Sequence, residues 1–101
     1  MTVKLVVLYT QPDDAEAFDK HYFDTHMPLV DAMPGVERVE TGKFSAALDG
    51  GEQAFYRYAE LYFADDAAMS GAFGSAEGQA TAADYGAIAP PGSRMFLANV
   101  D

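Results

Sequence analysis

Hydrophobic and polar positions divide the chain into four strand-like and two helical stretches. Val3-Lys4-Leu5-Val6-Val7-Leu8-Tyr9 is continuous and β-branched, apolar on both sides apart from Lys4, as in a strand with neither face left to water. Gln11-Pro12-Asp13-Asp14 breaks it and supplies Asp13 or Asp14 as a helix N-cap, with Glu16 early in the first turn. The predicted helix runs from about Ala15 to about His26. At a step of about 100° per residue, Phe18, Tyr22, His26, Leu29 and Met33 share one stripe, with Asp19, Lys20, Asp24 and Asp31 elsewhere. Pro28 lacks a backbone donor, so a kink or a short second helical piece is expected through Ala32. Pro34-Gly35 ends it.

Val36 to Phe44 reads as a second strand of mixed polarity, exposed along one side. Residues 45–54, with Asp49-Gly50-Gly51 in the middle, form a mobile hairpin-type connection. Phe55 to Phe63 is the third strand, with Tyr56, Tyr58, Glu60 and Tyr62 on one face and Arg57, Ala59, Leu61 and Phe63 on the other. Asp65-Asp66 caps a helix through about Phe73, and a further Ala-rich segment runs from Ala76 to about Tyr85. Ala89-Pro90-Pro91-Gly92 is a rigid turn, and Arg94 to Val100 is a fourth strand, apolar on both faces.

The order β-α-β-β-α-β over residues 1–101 predicts a single ferredoxin-like α+β domain, an antiparallel four-stranded sheet with helices on one face. Two helices cover only one face of four strands, yet the first and last strands are apolar on both. A homodimer with the sheets face to face, a dimeric α+β barrel, is the expected remedy.

Composition narrows the functions. Sixteen acidic against 6 basic residues give a net charge of −10, which disfavours binding to nucleic acid or an anionic membrane surface. The chain has no cysteine, so disulfides, thiolate metal sites and thiol nucleophiles are excluded. No transmembrane run or signal peptide is recognisable, and a cytoplasmic protein is expected. Glycine-rich phosphate loops and a serine elbow are missing, so nucleotide, flavin and acyl-enzyme mechanisms have no sequence support and no cofactor is expected.

His26 is the leading catalytic candidate, because an imidazole on an apolar stripe beside Tyr22 titrates in the range useful to a general acid or base, with Tyr22 and a strand tyrosine as orienting donors. The competing reading is a structural histidine bonded to a carbonyl freed by Pro28. His21 lies five residues back, roughly 140° around a regular helix. That angle denies the pair a shared metal and leaves His21 at a pocket rim or on the surface. A metal site from one histidine with Asp19, Asp24 or Asp84 has no spacing in its favour. Glu60 and Tyr62, with Tyr58, would make a polar-aromatic pocket if their face meets the helices; if the other face does, Leu61 and Phe63 make it apolar. Phe18, Tyr22, Phe73, Tyr85 and Phe96 are candidates to line a cavity for a planar hydrophobic molecule, with Met69 as adaptable filler, and Leu29 on the same helical stripe is a further substrate-binding candidate.

The string Phe18-x-x-His21-Tyr22-x-x-x-His26-x-Pro28-Leu29, followed by Pro34-Gly35, resembles the start of EthD domains. Ala59-Glu60-Leu61-Tyr62-Phe63, Met69, Ser75-Ala76-Glu77 and Ala83-Asp84 are similar to the family's second half. The resemblance implies the same fold, a dimer, and a pocket between helices and sheet, as in superfamily relatives that include polyketide cyclases and cofactor-free monooxygenases. It implies Asp84 as a family position, suited equally to capping a turn and to acting on a ligand. The glycine-rich second helical region (Gly71, Gly74, Gly78, Gly86) departs from many EthD domains.

The expected function is acid–base chemistry on a small aromatic, ether or polyketide-like molecule in a catabolic or biosynthetic pathway, or assistance to an oxidoreductase. The alternative is a non-catalytic dimeric accessory protein that supports an oxygenase system. A third reading is haem binding through His26.

Overall fold

The computed structural model describes residues 1–101. Strands β1 (Val3–Thr10), β2 (Arg38–Lys43), β3 (Phe55–Phe63) and β4 (Arg94–Asn99) form one antiparallel sheet in the order β2-β3-β1-β4. After β1 comes a helical rod made of α1 (Ala15–His21), a π-helical turn (Tyr22–His26) and α2 (Met27–Ala32). After β3 come α3 (Asp66–Gly74) and α4 (Ala76–Ile88). This is the ferredoxin-like α+β arrangement that the patterning predicts.

Local chemistry accounts for the boundaries. The Asp14 carboxylate accepts from Ala17 N–H at 3.1 Å, Asp65 from Ala68 N–H at 2.8 Å, and the Ser75 hydroxyl from Gly78 N–H at 3.0 Å. Each cap satisfies an amide that a helix start leaves unpaired. Helix α4 runs to Ile88, beyond the expected end near Tyr85, until Ala89 turns extended before Pro90. Gly78 lets α4 press against the Ala72 carbonyl of α3, where a Cβ would collide.

The helices cover the sheet face that carries Val3, Val7, Tyr9, Ala59, Leu61 and Phe63, all buried. Phe18, Tyr22, Val30 and Met33 from the rod and Ala72 from α3 complete that core. The open question about β3 is thereby settled in favour of the apolar face. Tyr58, Glu60 and Tyr62 lie on the opposite side of the sheet.

Tyr56 does not stay with them. The β1–β3 register slips between Tyr9 and Thr10. The Tyr56 ring sits edge-on to Phe18 at 6.0 Å and its hydroxyl donates to Asp19 at 2.7 Å.

Candidate active site

The π turn is the feature that builds the site. In a regular helix the Pro28 ring would collide with the carbonyl of Asp24, four residues back. Here the turn before it is widened, and Met27 N–H bonds to the Tyr22 carbonyl five residues back. The widening rotates everything downstream. Val30, not Leu29, enters the core stripe after His26, so Leu29 is left half-buried and away from the cavity.

The same rotation overturns the expected separation of the two histidines. His21 and His26 converge on one carboxylate: His21 Nε2–H donates to Asp84 Oδ1 at 2.8 Å, and His26 Nδ1–H donates to Oδ2 at 2.8 Å. Asp84 caps no turn. It sits midway along α4, where it faces the rod.

Behind this cluster, between helices and sheet, lies a cavity of about 290 Å³. Its wall is mainly aliphatic and aromatic, including Leu5, Val7, Met27, Val30, Leu61 and Phe73. The polar side chains on it are His26, Tyr9, Tyr22, Thr81 and Tyr85, and no lysine or arginine reaches it. Tyr9 O–H points at His26 Nε2 across 3.5 Å, a long and weak bond. The Tyr22 ring stacks on His26 with centroids 5.6 Å apart, and its fully buried hydroxyl has no partner.

Electrostatics follow from this placement. Burial lowers the pKa of His26 below the ordinary imidazole value, and the hydrogen bond and charge of Asp84 offset this only in part. Burial pushes the Asp84 carboxyl up, but the hydrogen bonds from the two imidazoles outweigh it and leave the group below the usual range. Asp84 is therefore an ionised acceptor. That fixes the His26 proton on Nδ1 and turns the Nε2 lone pair toward Tyr9 and the cavity. Burial holds the Tyr22 phenol up at about 12 and raises Tyr9 and Tyr85 as well.

The residues singled out by sequence are thus divided. His26, Tyr22 and Phe73 line the cavity, and Phe18 stands one ring behind, stacked on Tyr22 at 6.0 Å. His21 and Asp84 stand behind His26. Glu60 and Tyr62 are not brought to the site. On the far face Tyr62 O–H donates to Glu60 at 3.3 Å, and Glu60 pairs with Lys4 at 3.1 Å. Sequence reasoning missed Tyr9, although the alternation Val3, Leu5, Val7, Tyr9 places it on the buried face of β1. It also missed Arg57, buried with its guanidinium 4.8 Å from the Tyr22 ring centroid and 3.3 Å from Asp19. No group of three or more acidic, histidine or cysteine side chains is arranged to hold a metal ion.

Fold and site together define a small ferredoxin-like α+β protein with an apolar cavity and one buried imidazole on its wall. Residues 11–89 match the EthD domain, and the chain belongs to the EthD family. It is 40% identical over 94 residues to an uncharacterized 11.0 kDa protein of the thcB–thcC intergenic region of Rhodococcus erythropolis, covering 93% of this chain and 90% of that one. The crystal structure of an ethyl tert-butyl ether degradation (EthD) family protein from Bacillus halodurans C-125 superposes with a TM-score of 0.93. That protein is 34% identical, and the match covers 100% of both chains. SnoaB, a cofactor-independent oxygenase from Streptomyces nogalater, shares the fold at a TM-score of 0.71 and 17% identity, covering 98% of this chain and 92% of its own. No helix is long and apolar enough to cross a membrane.

Proposed function

We propose that this protein binds a small apolar molecule carrying one oxygen function and moves a proton on it, with His26 as the acid–base group. The observation that carries this reading is the pairing of a carboxylate-oriented imidazole with an otherwise apolar cavity. With Nδ1 tied to Asp84 and burial favouring the neutral ring, Nε2 is free to accept a proton from an acidic C–H or O–H. Tyr22 stays protonated at neutral pH, so its unpartnered hydroxyl is available to donate to an oxygen that gains negative charge. A carboxylate or phosphate on the ligand would lie buried without a cation, which favours a neutral ketone, phenol or ether. The likeness to a cofactor-independent oxygenase is consistent with chemistry run by side chains alone.

The working form is a homodimer joined through the uncovered sheet face. Phe96 on that face is 44% exposed, and Val6 and Leu8 lie beside it on β1. Sedimentation of the wild type as a dimer and of Phe96→Glu as a monomer is the expected result.

The acid–base reading is tested by deuterium uptake from D2O into a panel of apolar ketones and phenols. Uptake above the buffer rate, lost in His26→Phe with the fold intact, supports it. Ligand-induced shifts of cavity resonances without any uptake would leave a binding protein that serves a partner oxygenase.

A further inference from the structure

We propose that His21 is a positioning residue which, through Asp84, fixes the orientation of His26 and keeps it neutral as the medium becomes acidic. The proposal rests on the acid–base reading of His26 and concerns how that residue is held ready.

The geometry is that of one carboxylate divided between two rings. Asp84 gives Oδ1 to His21 and Oδ2 to His26, both at 2.8 Å. A carboxylate bonded at a single oxygen can swivel; one held at both is fixed in its plane, and with it the ring that Oδ2 orients. The three side chains also form a gradient from solvent to cavity. The His21 side chain is 40% exposed, Asp84 13% and His26 6%.

Asp84 is the only carboxylate paired with either ring. Around His26 the neighbours are Asp84 and Tyr85 from α4, Tyr9 from β1, and Tyr22 from its own rod. Arg57 of β3 lies over Tyr22 and turns its charge to Asp19. Near His21, Lys20 and Asp24 are paired with each other at 2.7 Å.

Two imidazoles that share one anion accept a first additional proton readily and a second with difficulty, because the second puts two cations on one carboxylate. His21 is the ring that water can solvate, and a positive charge there faces the same carboxylate that orients His26. Once charged, His21 takes up the field of Asp84 and opposes a positive charge on His26. The buried ring thereby keeps its lone pair to lower pH than Asp84 alone would allow.

The test is a pH titration of both histidine rings by NMR in the wild type, His21→Gln and His21→Phe. Glutamine retains an N–H donor for Oδ1 but cannot ionise; phenylalanine removes donor and charge. The expected result is a His26 midpoint about one pH unit higher in His21→Gln than in the wild type. The downfield Nδ1–H resonance of His26 should persist in His21→Gln and broaden in His21→Phe. The acid limb of the deuterium-uptake profile should move up with the midpoint. An identical His26 midpoint in the wild type and His21→Gln overturns the proposal, whatever the uptake assay shows. A shifted midpoint in a protein that exchanges no deuterium into any ligand supports the coupling and removes the acid–base assignment instead.

Discussion

Tyr62 and Phe63 are consecutive residues of β3, and the two sides of the sheet on which they stand follow different rules. On the uncovered side, hydroxyls and carboxylates answer one another: Tyr62 and Tyr58 donate to Glu60 and Glu40, and Lys4 pairs with Glu60. On the covered side, polar groups are few and poorly matched. Tyr22 has no partner, and Nε2 of His26 has only a long bond to Tyr9. A buried polar group left wanting a partner costs stability, and such a cost is retained where a ligand supplies the partner. Both sides hold tyrosines and a titratable group, but only one has polar groups left over for chemistry.

The largest test of this contrast is one of packing. Phe63→Ala should lower the unfolding free energy by about 3–5 kcal/mol in urea denaturation, because a fully buried ring is removed. Next is Tyr22→Phe, which should raise stability by about 1 kcal/mol, by deleting a buried hydroxyl without a partner, while weakening ligand response. A loss of stability in that variant would mean that the hydroxyl is already satisfied, and the contrast would fail.

The acid response is expected to be smaller. The pKa of His26 is lower in the folded chain than in the unfolded one, so between those two values the unfolded chain binds more protons. Its contribution is therefore present above about pH 6.5 and is lost as the pH falls toward the folded value. Asp84, also lowered, adds a loss of the same sign in a more acidic window. Urea midpoints measured between pH 7.5 and 5 should fall less steeply in His26→Phe than in the wild type. Least of all, Tyr62→Phe should cost below about 1 kcal/mol, because it removes only one partly exposed hydrogen bond.

Much of the fold was legible in the sequence because strand alternation, capping aspartates and Pro-Gly stops all act over a few residues. The site was legible only where the same short-range rules held. His26 and Tyr22 fell on the apolar stripe, and there they stand. Leu29 and His21 were misplaced because a constant 100° step fails across the widened turn, whose cause, Pro28, suggested a kink and not a change of phase. The pairing of Asp84 with His26 joins residues 58 apart and has no local signature. Glu60 and Tyr62 were candidates because alternation separates two faces without saying which one the helices choose. The greater apolar content of Ala59, Leu61 and Phe63 was the available clue.

The widened turn also changes what kind of spacing can bring two side chains together on a helix. Residues five apart here do what residues four apart do in an unbroken one, so His21 and His26 reach one carboxylate despite a separation that a search for helical pairs would discard. A chain one residue shorter between them, without the proline, would present the same two rings from an ordinary helix. Loss of one residue between the histidines, together with replacement of Pro28, would then turn the bulged helix into a regular one with its two imidazoles still facing α4.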